Sequence, residues 1–183
     1  MNRDAALDAK IAEFLRELGR WGERMNLVGS TDPAALARHV QDALAAVPHL
    51  PAHASVVDLG SGAGFPGVPI AIARRDLRVT LVEIREKRIA FLRHVVRALG
   101  LEVEVRRESI EAEPSARFDF ALLRAVAPPE KSLELARPWV ADAGEIWIWA
   151  GAGIALPGAR AIPLDSGGAI LRAPAAAISR GTD

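Results

Sequence analysis

Asp58 ends a short apolar run, and glycines follow it at alternate positions, Gly60, Gly62 and Gly64. Pro66 and Gly67 then open what reads as a helix. A strand, a glycine turn and a helix start bring bare backbone against a ligand at the carboxyl edge of a sheet. Residues 62–67, GAGFPG, match the dinucleotide pattern G-x-G-x-x-G. The carboxylate beside the first glycine argues against a pyrophosphate, which it would repel, and for an ammonium group, which it would attract. S-adenosylmethionine carries an α-amino group and a sulfonium and no phosphate, so the turn suits that cofactor. Glu83 ends the next apolar run, VTLVEI, where a carboxylate accepts hydrogen bonds from ribose hydroxyls. Taken alone, Glu83 reads as a surface acid paired with Arg85 or Lys87.

These groups need elements to hold them. Leu7, Ile11, Phe14, Leu18, Trp21 and Met25 recur in steps of four and three, predicting an amphipathic helix over 4–25. Asp32-Pro33 reads as an N-cap and first helical position, with the helix running to about Ala46 before Pro48 and Pro51. From residue 55 short apolar runs alternate with helical segments. Strands are predicted near 55–59, 78–84, 102–107, 119–124 and 145–150, and helices near 66–74, 86–99 and 130–141. Alternation of this kind means a parallel sheet with helices on both faces, an α/β fold. Residues 159–164 and 169–173 read as two further strands joined by a turn at 165–168, and the last ten residues as a frayed tail.

The chain has 183 residues, half of them hydrophobic and a quarter charged, which suits one globular domain over 1–183. Its expected parts are a helical N-terminal cap over 1–50 and a Rossmann-like core over 51–183. No apolar run reaches the length of a membrane span and the polar start is not a signal peptide, so the expected place is the cytoplasm. Cysteine is absent, which excludes disulfides, thiolate metal sites and a cysteine nucleophile. Lys+Arg and Asp+Glu both number 23, so no overall field draws in a polyanion. His49 and His53 have metal-ligand spacing only on a helix, and Pro51 argues against one, so no metal is assigned.

The chain resembles the bacterial 16S rRNA guanine-N7 methyltransferase G family, also called glucose-inhibited division protein B. The resemblance rests on DLGSGAGFPGVPIAI at 58–72, with its Phe65-Pro66-Gly67, on Trp21, on Met25-Asn26-Leu27 and on Arg38-His39-x-x-Asp42. It continues through Lys87-Arg88-x-x-Phe91-Leu92, Phe118-Asp119 and Arg124-Ala125. It implies a seven-stranded, mostly parallel Rossmann-like methyltransferase fold with an N-terminal helical extension, binding S-adenosylmethionine. By position, Gly60 and Phe65 border the methionine part of the cofactor, Glu83 holds the ribose, and Ile110 and Glu111 flank the adenine. Arg124 lies near cofactor and target base and is the implied catalytic residue. Arg38 and His39 are candidate substrate contacts, facing RNA or forming part of a lid over the cofactor, with an exposed local ion pair to Asp42 as the equally weighted plainer alternative. The implied partner is 16S rRNA or the small ribosomal subunit, met by a monomer. Where the family commonly has a lysine after strand five, Ala150 stands, and GAGIALPG over 151–158 replaces an expected helix.

Guanine N7 has an in-plane lone pair and needs no general base. Cytosine C5 chemistry needs a cysteine, and adenine N6 enzymes usually show Asn/Asp-Pro-Pro-aromatic after strand four, where this chain has RAVAPP. A small-molecule methyltransferase and a catalytically weak binding module remain as alternatives, and an NAD-dependent dehydrogenase as a remote one. Trp139, Trp147 and Trp149 read as core, Trp21 as a helix-docking residue. Arg85, Lys87, Arg88, Arg93 and Arg97 make either a basic face for phosphates or a solvated helix surface.

Overall fold

The computed structural model describes residues 3–22 and 32–177. The helical stripe's last member, Met25, the Met25-Asn26-Leu27 motif and residues 178–183 of the tail lie outside them.

Two helices come first, α1 (Arg3–Gly22) and α2 (Pro33–Leu44). Asp32 caps α2, its Oδ2 accepting from Ala35 N at 2.9 Å, with Pro33 inside the first turn. Then follow β1 (Ser55–Leu59), α3 (Gly67–Ala73), β2 (Arg78–Glu83), α4 (Glu86–Ala98) and β3 (Val103–Arg107). After these come β4 (Phe118–Arg124), α5 (Pro129–Ala136), β5 (Val140–Ala150), β6 (Arg160–Pro163) and β7 (Ala169–Pro174). The seven strands form one sheet in the order β3-β2-β1-β4-β5-β7-β6. β7 runs antiparallel to both neighbours, and the pairings among β1 to β5 are parallel. The order reverses between β1 and β4, the switch point at which open α/β sheets bind ligands beyond their strand ends.

Strand alternation sorts the core into two layers. Val56, Leu81, Leu122 and Trp147 pack under α1, α2, α3 and α4, while Val57, Val82, Leu123 and Ile146 pack with Ala136 and Trp139 on the other face. The helices are therefore unevenly shared between the faces. The predicted helix at 130–141 stops at Ala136 because Pro138 cannot continue it, and a 3-10 turn completes the segment. β5 begins five residues earlier than its apolar run, since Val140 already pairs with Phe118. Residues 151–159 form turns and no helix.

The N-terminal helices are joined firmly to this core. Phe14 and Leu18 of α1 are fully buried, contributing about 2 kcal/mol each. Trp21 does dock as expected, its ring centroid 5.7 Å from Phe91 and 5.3 Å from His94. Arg74 anchors the turn beyond α2, donating to the carbonyls of Val47, Leu50 and Pro51 and to Asp76. Asp119 of the Phe118-Asp119 motif ties the start of β4 to the start of β1, accepting from Ser55 N at 2.8 Å and Ser55 Oγ at 2.7 Å. That motif serves the sheet at the edge opposite the glycine turn.

Candidate active site

Asp58, Glu83 and Arg124 belong to three neighbouring strands, and their positions along each strand set them on the face that α2 and α3 cover. Asp58 is 1% exposed. Its Oδ2 accepts from Gly67 N at 3.0 Å, while its Oδ1 is buried with no hydrogen-bond partner. Burial pushes the Asp58 carboxyl up to about 7, and the Gly67 N–H and Ser61 only partly offset that; Glu83 raises it further and Arg124 opposes. Gly67 must be glycine because the carboxylate sits on its α-carbon. A Cβ there would stand 2.5 Å from Leu81 Cδ2 and 2.6 Å from Asp58 Oδ2.

The turn extends the ladder of β2, with Gly60 N and Ser61 N both donating to the Val82 carbonyl, at 2.9 and 3.0 Å. Gly62 adopts a left-handed φ of 54° and so turns its N–H onto Glu83 Oε2 at 3.1 Å. Glu83 Oε1 accepts from the backbone N–H of Ile84 and Arg85, at 2.8 and 2.9 Å. Arg88 Nη1 lies 3.6 Å from Oε2. Glu83 is thus buried and splinted by backbone rather than paired on the surface with Arg85 or Lys87. Three N–H bonds leave one of a carboxylate's roughly four lone-pair sites for a ligand hydroxyl.

Arg124 reaches across to α2. Its Nη2 contacts His39 Nδ1 and lies 3.5 Å from Asp42 Oδ2, and its Nη1 donates to the His39 carbonyl at 3.4 Å. Asp42 is 8% exposed, so the local surface pair with Arg38 or His39 is not what forms. Trp149 Nε1 donates to the Asp42 carbonyl at 2.8 Å, fastening α2 to β5. Desolvation, then the Arg124 charge, hold His39 below its ordinary value. The His39 ring meets Phe65 of the glycine turn edge-on at 5.6 Å, and Phe65 meets Phe14 at 5.2 Å. Arg38 is exposed, and its charge also acts against protonation of His39.

Beside this cluster lies a cavity of about 460 Å³ bounded by Asp42, Arg124, Pro128, Trp149, Ala150 and Ile154. Ile110 and Glu111 are not drawn into the cluster. Ile110 packs on the second core with its carbonyl accepting from Trp139 Nε1 at 3.0 Å, and Glu111 is exposed. Of the basic residues on and before α4, Arg85, Lys87, Arg93 and Arg97 are exposed, and Arg88 leans on Glu83. Among the described residues, no group of three or more His, Asp or Glu side chains is arranged to hold a metal ion. No described helix is long and apolar enough to cross a membrane.

Sequence reading alone did not link Asp42 to Arg124, or Trp149 to Asp42. The signal available was the spacing of His39 and Asp42, which puts both on one helical face; their partners are 85 and 82 residues away.

The model of the family described as GidB, rRNA small subunit methyltransferase G, matches residues 7–154, which include every residue of this cluster. The chain belongs to the GidB family. Among its relatives is ribosomal RNA small subunit methyltransferase G of Hyphomonas neptunium, 38% identical over 132 residues, covering 72% of this chain and 64% of the relative. The protein of the same name from Sorangium cellulosum is 40% identical over 154 residues, covering 79% and 64%. The chain thus spans somewhat under two thirds of the length of these curated relatives. Among solved structures, a SAM dependent methyltransferase from Aquifex aeolicus superposes with a TM-score of 0.58 at 18% identity, over 77% of this chain and 93% of that one. That likeness shows the same fold, the Rossmann-like methyltransferase architecture expected of this GidB member.

Proposed function

We propose that this chain is an S-adenosylmethionine-dependent methyltransferase that modifies N7 of a guanine in 16S rRNA. It acts in the cytoplasm as a monomer, with cap and core working as one domain on the small ribosomal subunit or its RNA. The relatives' name supplies the RNA, and the resemblance drawn from the sequence supplies the position on the base. The observation that carries the reading is Asp58 Oδ1, a buried carboxylate oxygen left without a partner under the glycine turn. An orphaned carboxylate oxygen is costly unless a donor arrives. An ammonium group fits it, and a phosphate does not.

The donor set suits the cofactor. Asp58 would take the amino group, Glu83 a ribose hydroxyl, and Gly60, Gly62, Gly64 and Phe65 the chain between, with Ile110 and Glu111 beside the adenine. When bound, S-adenosylmethionine supplies a methyl group activated on a sulfonium. Arg124 and the walls of the neighbouring cavity orient the guanine, with Arg38 and His39 on the RNA side. The base nitrogen gives its lone pair to the new N–C bond while the S–C bond breaks and its pair returns to sulfur. The positive charge passes to the base and no proton moves. Alignment is then the main contribution of the protein.

The test is transfer of labelled methyl from S-adenosylmethionine to small subunits from a strain lacking this modification. N7-methylguanosine should appear in the 16S rRNA digest by mass spectrometry. Binding of S-adenosylhomocysteine without any transfer to RNA would overturn the substrate; binding of NAD instead would overturn the cofactor.

A further inference from the structure

Arginine meets guanine most often through a two-pronged fork onto O6 and N7. For an enzyme that alkylates N7 such a fork is self-defeating, because it occupies the lone pair that must attack. Arg124 borders the cavity assigned to the base, so the disposition of its five N–H groups matters. Nη2 has two hydrogens, and it has two acceptors, His39 Nδ1 and Asp42 Oδ2. Nη1 gives one of its two to the His39 carbonyl. A guanidinium makes its forks along the Nη1/Nη2 end or along the Nε/Nη2 side, and both need an Nη2 hydrogen. What remains is Nε–H and one Nη1–H, which point apart. Arginine accepts nothing, so Nδ1 must be the accepting nitrogen and the neutral imidazole keeps its proton on Nε2.

The acceptors are themselves held. Trp149 fixes the Asp42 backbone, and Phe65 flanks the His39 ring. The Asp42 carboxylate also offsets the Arg124 charge, which would otherwise oppose a base turning cationic beside it. We propose that His39 and Asp42 are positioning residues that lock Arg124 out of its fork, leaving one N–H for the base carbonyl O6 and leaving N7 free to attack. This rests on the guanine-N7 reading above.

The test has two arms. In nitrogen-15 NMR of the cofactor-free protein, the Arg124 Nη2 hydrogens should be resolved and protected, and should average in His39→Phe, which keeps a ring against Phe65 but removes the acceptor. Freely averaging Nη2 hydrogens in the wild type overturn the lock, whatever the activity. In steady-state kinetics on small subunits, His39→Phe and Asp42→Ala should lower kcat about tenfold or more, the scale of a misaligned reactive group. KM for RNA should stay level or fall, because a freed fork binds guanine well. His39→Asn, which returns an acceptor near the place of Nδ1, and Asp42→Asn should recover most of kcat. Unchanged kcat overturns the proposal, and so does a KM rise that matches the loss and resists rescue, which would make His39 a plain RNA contact. A wild type that methylates no guanine sinks the functional reading instead, and the NMR arm still decides whether Arg124 is locked.

Discussion

From Ser61 to Ile72 every residue is buried, and the turn's polar groups answer one another: Gly62 to Glu83, Gly67 to Asp58, Gly60 to Val82. On the other side of Arg124, Gly151 to Ala155 are all exposed and the wall is an open cavity rimmed by Ile154, itself 45% exposed. The cofactor side is one short stretch of chain laid on its neighbouring strand. The base side is gathered from α2, the end of β4, the end of β5 and the loop after it. A dry, local turn is organised before its ligand arrives. An open side built from distant parts depends on each joint between them.

If that contrast holds, damage to the turn should be global and damage to the base side selective. The largest effect belongs to Gly67→Val, whose side chain has no place beside Leu81 and Asp58. Overpacking of this kind should cost about 3 kcal/mol or more, read as a fall in melting temperature with loss of S-adenosylhomocysteine binding. A variant as stable as wild type would show that the turn gives way easily. Glu83→Ala comes next. Besides a ribose contact it strips the acceptor from three backbone N–H groups, so cofactor affinity should weaken by about 1–3 kcal/mol, measured by calorimetry. Unaltered affinity would mean that no ligand touches this acid.

Asp58 gives a prediction with a sign. Its folded-state value of about 7 lies above that of an ordinary carboxyl, so between that ordinary value and pH 7 the fold holds a proton that the unfolded chain has lost. The stability this proton gives is lost as pH rises through about 7. An ammonium ligand prefers the ionised form, so binding below pH 7 should release a proton. Affinity for S-adenosylhomocysteine should then climb about tenfold between pH 6 and pH 8, the scale of one unit of linked titration. Asp58→Asn should flatten the slope; a slope that survives it places the titrating group elsewhere.

Two smaller effects test the base side. Trp149→Phe removes the bond to the Asp42 carbonyl, and kcat/KM for RNA should fall by about 1 kcal/mol while cofactor affinity stays put. A matching loss of cofactor affinity would mean the two sides are one unit. Ala150→Lys sets a cation at the cavity rim and should steepen the salt dependence of RNA binding by about one released counterion. No change in slope would put the rim away from RNA phosphates.

The strands of the core were legible because apolar runs of five or six residues bounded by Gly, Pro and charge leave little else for the chain to do. β1 was read to the residue and β2 within one. β5 was under-read at its start because Ala141, Asp142 and Ala143 fall in an irregularity of its pairing with β4, between Val140 opposite Phe118 and Glu145 opposite Phe120, and carry no run of large apolar side chains. The helix at 86–99 was legible from the helical spacing of Ile89, Leu92, Val96 and Leu99, while that predicted at 130–141 stops at Ala136, ahead of Pro138. In the site, Asp58 and Glu83 were legible as acids at strand ends. That one would be left with a bare oxygen and the other splinted by three N–H groups was not.

The sequence by itself determined the strand, turn and helix at 55–73 and the acids that frame them, because these depend on backbone conformation and spacing within a few residues. It also placed His39 and Asp42 on one helical face. Only the tertiary structure decided what they face. The packing of α2 over the sheet brings them to Arg124 and binds Asp42 to Trp149, contacts 82 and 107 residues apart in the chain. No local pattern encodes a hydrogen bond between groups so far apart, since it exists only once burial has fixed how the helix sits on its strands.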